Sequence, residues 1–216
     1  MAKKGSYTDW NLGLWNDTKE LEPEIIPQQK VKRSKRRSTA CLERRYQNEY
    51  RRAYSETQLL DVIPKELKEG YSYNFITSGD VDALSYLKII LRQQKLDYCL
   101  FSTWCMACDD VLQIEEWLKK GMIKTMDAYL GEIFKGSYRN EWNKLNEVIP
   151  KYGGKIKTFM NHSKIFAGIG NKFAFGIQTS ANINTNPRTE NGCITIGHDI
   201  YQFYKNYFDD IQGFNK

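Results

Sequence analysis

Histidine is scarce in this sequence. The 216 residues hold two, His162 and His198, and residues 71–140 contain none. Cysteine is nearly as sparing: five residues at irregular spacing do not write a disulfide framework, so reduced thiols are expected. No second cysteine pair at metal-ligand spacing accompanies Cys105 and Cys108, which argues against a zinc site. No apolar run approaches the length of a membrane helix, and the N-terminus, MAKKGSYTDWNLGLWND, lacks the apolar core of a secretory signal. A cytoplasmic protein, of a cell or an infected host, without membrane insertion and without metal or cofactor, is the expectation.

What is present in excess is positive charge, and it is local. The net charge is +6, yet residues 30–53, KVKRSKRRSTACLERRYQNEYRRA, carry ten Lys/Arg against two Glu. Residues 1–29 are slightly acidic and residues 54–216 balance 19 basic with 19 acidic side chains. The positive field belongs to an arm. Residues 1–29 read as extended, with Trp10, Leu12 and Trp15 as scattered apolar anchors. From about Ser38 a helix is expected, with Leu42, Tyr46, Tyr50 and Tyr54 as one stripe. Arg36, Arg37, Arg44, Arg45, Arg51 and Arg52 then read either as a solvated surface or as a polyanion-binding face, since clustered cations release counterions from nucleic acid. Two divisions follow: residues 1–55 as an arm, and 56–216 as a domain.

From Tyr71 the pattern alternates. YSYNFITSG, LDYCLFSTW and MIKTMDAYLG read as strands; DVDALSYLKIILRQQ and DDVLQIEEWLKKG, closed by Gly121, read as helices between them. Asp80 is the expected N-cap of the first helix, with Asp82 in its first turn. RNEWNKLNEVIPKYG reads as a helix broken at Pro150, GKIKTFMNHSKIFAGI as returning strands, and YQFYKNYFDDI as a closing helix. Helices between strands at this rhythm imply an α/β fold, a mixed but largely parallel sheet covered on both faces.

The polar residues of MNHSKIFAGIGNKFAFGIQTSANINTNPRTENGCITI are those of a phosphate site. Residues two apart on a strand share a face, which pairs His162 with Lys164 and Ser180 with Asn182. A hairpin turn at Gly170-Asn171 places His162 opposite Thr179 and draws all four together. An imidazole attacks phosphorus or protonates a leaving oxygen. An ammonium, a hydroxyl and an amide hold the remaining oxygens. Glu190 is expected to hold the second ring nitrogen of His162. His198 has no such company and reads as structural.

His162-Ser-Lys164, Thr179-Ser180-Ala181-Asn182 and Glu190-Asn191 together resemble one half-motif of the phospholipase D superfamily, the HKD phosphodiesterases. The passage LKKGMIKTMDAYL is similar to that family's recurrent helix–Gly–strand step. The resemblance covers about two-thirds of the chain and leaves out the basic N-terminal third. It implies a phospholipase D-like fold and a metal-independent phosphodiesterase using a phosphohistidine at His162, with Lys164, Ser180 and Asn182 on the phosphate and Glu190 orienting the ring. With one half-motif per chain, it also implies a homodimer. Two positions depart from the pattern: Ile169 stands where the family has Asp, and Thr179 where it has Gly.

With the basic arm, nucleic acid is the expected substrate or partner. The alternatives are an inactive phospholipase D-like binding protein, a lipid phosphodiesterase, and a thioredoxin-like redox protein. The last rests on Trp104-Cys105-Met106-Ala107-Cys108 between a strand and a helix. Asp109 and Asp110, which follow directly, would raise rather than lower the thiol pKa, and buried small residues at a strand–helix junction are the preferred reading.

Overall fold

The computed structural model describes residues 55–185 and 187–212. The expected extended segment over 1–29, the helix from Ser38 and the six arm arginines lie outside the described residues. A helical segment over 55–62 leads in, burying Leu59. Its Glu56 carboxylate accepts from Lys88 Nζ at 2.9 Å and Ser85 Oγ at 2.7 Å.

Twelve elements follow: β1 (Ser72–Thr77), α1 (Ala83–Leu91), β2 (Leu96–Thr103), α2 (Cys108–Lys119), β3 (Ile123–Gly131), α3 (Phe134–Ser137), α4 (Arg139–Lys151), β4 (Ile156–Phe159), β5 (Ile165–Gly170), β6 (Ala174–Thr179), β7 (Glu190–Ile196) and α5 (His198–Asp209). The seven strands form one sheet in the order β1-β7-β6-β5-β2-β3-β4. β2, β3 and β4 pair in parallel and are joined through α2 and α4, since parallel neighbours need a long crossover connection. β5 and β7 run against the rest. Five strands therefore point one way, although most neighbouring pairs are antiparallel.

Alternation along the strands separates two apolar layers. Phe101, Ala128, Leu130, Phe166, Phe175, Ile177 and Ile194 face the layer under α1, α2 and α4. Leu100, Tyr129, Ile165, Ala167 and Ala174 face the other, closed by Tyr201, Tyr204 and Phe208 of α5. Gly176 lets α5 approach, because a Cβ there would meet Ile200 and Tyr204 at 2.8 and 2.9 Å. α5 covers only part of its face. Beyond it, Asn74, Ile76, Gln178, Ser180, Asn191 and Cys193 of β1, β6 and β7 line an open depression of about 820 Å³.

Three expectations need correction, and one element was not foreseen. The N-cap of α1 is Asp82, whose carboxylate accepts the Ser85 amide at 3.1 Å; Asp80 instead adopts φ +57° in the turn before it. Pro150 does not break its helix: it sits in the last turn of α4, where the lost amide costs one bond before the helix ends anyway. The one-turn α3 was hidden because a single turn shows no period. The β5–β6 turn is Asn171–Lys172, one residue later than expected, with neither residue at positive φ. Gln94 holds it, accepting the amides of Lys172 at 2.9 Å and Phe173 at 3.2 Å and donating to Phe173 O at 2.9 Å.

Candidate functional site

The strand directions bring seven chain ends to one rim. β1, β2, β3, β4 and β6 finish there at Thr77, Thr103, Gly131, Phe159 and Thr179, while β5 and β7 start there at Ile165 and Glu190. His162 and Lys164 precede β5 rather than lying within it, so their placement comes from the β4–β5 connection and not from strand alternation. With Ile165 paired to Gln178, the residue facing Thr179 is Lys164, not His162: the Thr179 amide donates to Lys164 O at 3.2 Å.

Asn161 shapes this connection. It is buried, and its amide group donates to Ser102 Oγ at 2.9 Å and Tyr129 O at 3.0 Å. Its Oδ1 accepts the Ser163 amide at 3.0 Å and the Ser163 hydroxyl at 2.7 Å. Both neighbours of His162 are thereby pinned, and the exposed imidazole is offered at the rim. Gly131 makes room, since a Cβ there would lie 2.9 Å from Trp104 Cδ1 and 3.1 Å from Asn161 O. The Trp104 ring stands 5.2 Å from the imidazole, centroid to centroid, tilted by 48°.

Lys164 is the unusual charge of the site. It is 8% exposed, and among the described residues no carboxylate lies within ion-pair distance of it. Its ammonium reaches His162 O at 2.6 Å and His162 Nδ1 at 2.9 Å. Burial lowers its pKa below the ordinary lysine value, while the Cys105 thiol and the Glu190 carboxylate act to raise it.

Across the rim, Ser180 Oγ donates to Glu190 Oε2 and accepts the Asn191 amide at 3.0 Å. Glu190 thus holds Ser180; the ring nitrogen it was expected to hold, Nδ1 of His162, is occupied by Lys164. Asn182 lies in the β6–β7 connection, where its carbonyl accepts the Ala83 amide at 3.0 Å. Its side-chain Oδ1 is shielded from solvent and accepts no hydrogen bond among the described residues. The connection is tied down further by Ile183, which bridges to Met106, and by Thr185 Oγ1, which donates to buried Asp82 at 3.2 Å.

Ile169, in the family's Asp position, pairs with Tyr98 on β2 and packs in the layer beneath α5. His198 opens α5 and contacts Gln202 at 3.2 Å, away from the rim. Cys105 and Cys108 are both free thiols. Burial pushes Cys105 up, partly offset by hydrogen bonds with Tyr138 and Asn184 and by the charge of Lys164. Cys108 is also pushed up, by desolvation first and then by Glu141 and Asp109. A redox pair needs the reverse.

Sequence reasoning missed Asn161, Ser163, Ser102, Gly131 and Trp104. Asn161 carried a signal in hindsight, an amide set between an apolar strand and the His-x-Lys triplet.

Among the described residues, no helix is long and apolar enough to cross a membrane, and no three His, Cys, Asp or Glu side chains are placed to hold a metal ion. No family model matches the sequence, and no curated protein does. Its fold is similar to part of the polyphosphate kinase from Porphyromonas gingivalis, with a TM-score of 0.50 and 10% identity over 68% of this chain. The chain spans about a quarter of that kinase's length, 27%. A weaker likeness is to phosphatidylserine synthase from Haemophilus influenzae (TM-score 0.46, 11% identity, 64% of this chain and 37% of that one). Another is to TrmBL2, an archaeal chromatin protein (TM-score 0.44, 12% identity, 79% and 64%).

Proposed function

We propose that this chain, whose phospholipase D-like α/β fold is a seven-stranded mixed sheet flanked by helices, is a phosphodiesterase acting on nucleic acid, one half-site per chain. The observation that carries this reading is Lys164: a buried ammonium with no carboxylate at ion-pair distance among the described residues, set beside an exposed imidazole. A buried cation lacking a counter-charge is costly, and an arriving phosphate removes that cost. Asn182 at the same rim has a side-chain amide whose Nδ2 can donate to a phosphate oxygen.

In the proposed reaction, Nε2 of one His162 attacks phosphorus and the P–O bond to the leaving group breaks. The leaving oxygen takes the Nε2 proton of a second His162. Water then attacks phosphorus, returns a proton to that second ring, and releases the first as the P–N bond breaks. Lys164 and Asn182 bind the non-bridging oxygens. Ser180, fixed by Glu190 and the Asn191 amide, borders them. Two imidazoles require two copies, so the active form is a homodimer with the His162 rims facing across a twofold axis. The open strip of β6, β7 and β1 beside Ser180 is surface that a second copy would cover.

Residues 1–55 are proposed as an arm, with Arg36, Arg37, Arg44, Arg45, Arg51 and Arg52 contacting the nucleic-acid backbone. A second reading, a non-catalytic phosphate-binding descendant, is favoured by Ile169, which leaves the family's Asp position filled with apolar bulk. One assay separates the two: hydrolysis of single-stranded DNA, RNA and a chromogenic phosphodiester by the full chain in EDTA. Turnover that survives EDTA and disappears in His162→Asn supports the enzyme. Turnover that needs a metal, or persists in the variant, removes it. Binding without turnover on any of these substrates establishes the second reading.

A further inference from the structure

An ammonium has three N–H donors and no lone pair. Lys164 Nζ at 2.9 Å from His162 Nδ1 is therefore a hydrogen bond in which the ring nitrogen accepts. A neutral imidazole carries one proton, and with Nδ1 accepting that proton is on Nε2. We infer that Lys164 holds His162 as its Nε2–H tautomer, so that in the free protein the ring meets a phosphate oxygen as a proton donor and not as a nucleophile; this rests on the phosphate-site reading above.

The arrangement is held from several sides. The same ammonium donates to the His162 carbonyl at 2.6 Å, so two acceptors of one residue hold one cation. That carbonyl is fixed because Asn161 pins the residues on either side of it. Trp104 limits ring movement from one face. The carboxylate that would hold the opposite tautomer by accepting from Nδ1–H is Glu190, and it is bonded to Ser180 instead.

The consequence for a two-imidazole reaction is an asymmetry of preparation. Each copy arrives with a proton on Nε2 and the nucleophile form absent; when Nε2 gives its proton to the leaving oxygen, the Lys164 ammonium passes one of its own to Nδ1, so the ring stays neutral. Producing the nucleophile requires Lys164 to leave Nδ1 and the ring proton to pass from Nε2 to Nδ1, with no net change in proton count. A phosphate that draws the ammonium away allows this in the copy whose lysine it engages, while the other stays the acid.

The test is the two-bond 1H–15N correlation of the imidazole rings in the 15N-labelled full chain, at a pH of about 8 where free imidazole is neutral. With two histidines, the His162→Asn spectrum assigns every signal. The expected result is a protonated Nε2 and a bare Nδ1 on His162. In Lys164→Met an Nδ1–H population appears, and Lys164→Arg, which also only donates, suppresses it. A backbone amide spectrum checks that each variant folds. A protonated Nδ1 in the unaltered protein overturns the inference, and so does an unchanged tautomer ratio in folded Lys164→Met. If Lys164→Met does not fold, the unaltered protein alone decides. The measurement is independent of turnover: an inactive protein with the Nε2–H ring sinks the function and keeps the inference, whereas an active one with Nδ1–H does the reverse.

Discussion

Lys164 Nζ and His162 Nδ1 lie 2.9 Å apart at the rim of the sheet, and the lysine of this pair is buried while the histidine is exposed. The protein thus keeps its cation under cover and offers the imidazole to solvent.

Lys164→Met should raise thermal stability at neutral pH and remove phosphate binding. Burial holds the lysine below its ordinary value, so the unfolded chain binds that proton more tightly than the folded one. The resulting cost is present in full below the folded value and fades as pH climbs toward the ordinary lysine range, about 10.4. Melting curves of both proteins across pH should show the advantage of the variant shrinking at alkaline pH. A variant that is less stable at neutral pH counts against an uncompensated buried charge.

Asn161→Ala should destabilise by about 1–3 kcal/mol for each buried partner left unsatisfied, among them Tyr129 O and the Ser163 amide. Because it frees the backbone on both sides of His162, turnover should fall further than the loss of folded protein explains. Denaturant unfolding and activity per folded molecule, measured together, separate the two effects.

Gly131→Ala asks whether the rim tolerates one methyl. The new Cβ would meet Trp104 Cδ1 at 2.9 Å and backbone Asn161 O at 3.1 Å. The ring can give; the carbonyl cannot move without moving His162. The expected cost is about 1–3 kcal/mol of overpacking, with weakened phosphate binding measured by titration calorimetry. Full binding in a folded variant would show that the connection adjusts without disturbing the site.

At acid pH the group to watch is Asp209, away from the site. Desolvation acts to raise its carboxyl, but Lys155 and Lys205 outweigh that and hold it below the ordinary value. Its stabilisation is present above the unfolded carboxyl range, about 4, and is lost as pH falls through the lower folded value. Asp209→Asn should therefore lower the melting temperature at neutral pH and flatten its decline below that range. Parallel curves at all pH values would exclude this contribution.

Deleting residues 1–53 should weaken polyanion binding and flatten its dependence on salt, since ten of the chain's 32 Lys/Arg lie between 30 and 53. The β-sheet domain should stay folded, because its strands begin at Ser72. Equal salt slopes for the full and shortened chains, read by fluorescence anisotropy with a DNA oligomer, would place the electrostatic contact elsewhere.

Local periodicity determined a good deal of this protein. The strands Ser72–Thr77, Leu96–Thr103 and Ile123–Gly131, the latter two largely apolar runs, and the helical spacing over Cys108–Lys119 are properties of short segments, and the sequence was sufficient to locate them. The order His162, Lys164, Ser180, Asn182, Glu190 was likewise legible as a set that a hairpin would gather at its open end. The turn lies one residue later than the Gly-Asn pair suggested, which moved every cross-strand partner.

Tertiary structure decided the rest, because it depends on contacts between residues far apart in the chain. Ser102 and Tyr129 reach Asn161 from β2 and β3, and that buried network places His162 in a connection where no strand period applies. Which partner Glu190 takes is a choice between a hydroxyl ten residues away and a ring 28 residues away. Chain order cannot rank them; only the folded distance can, and it chose Ser180. The same holds for Lys164, whose want of a carboxylate at ion-pair distance among the described residues is a fact about the space around it and leaves no trace in the order of the residues.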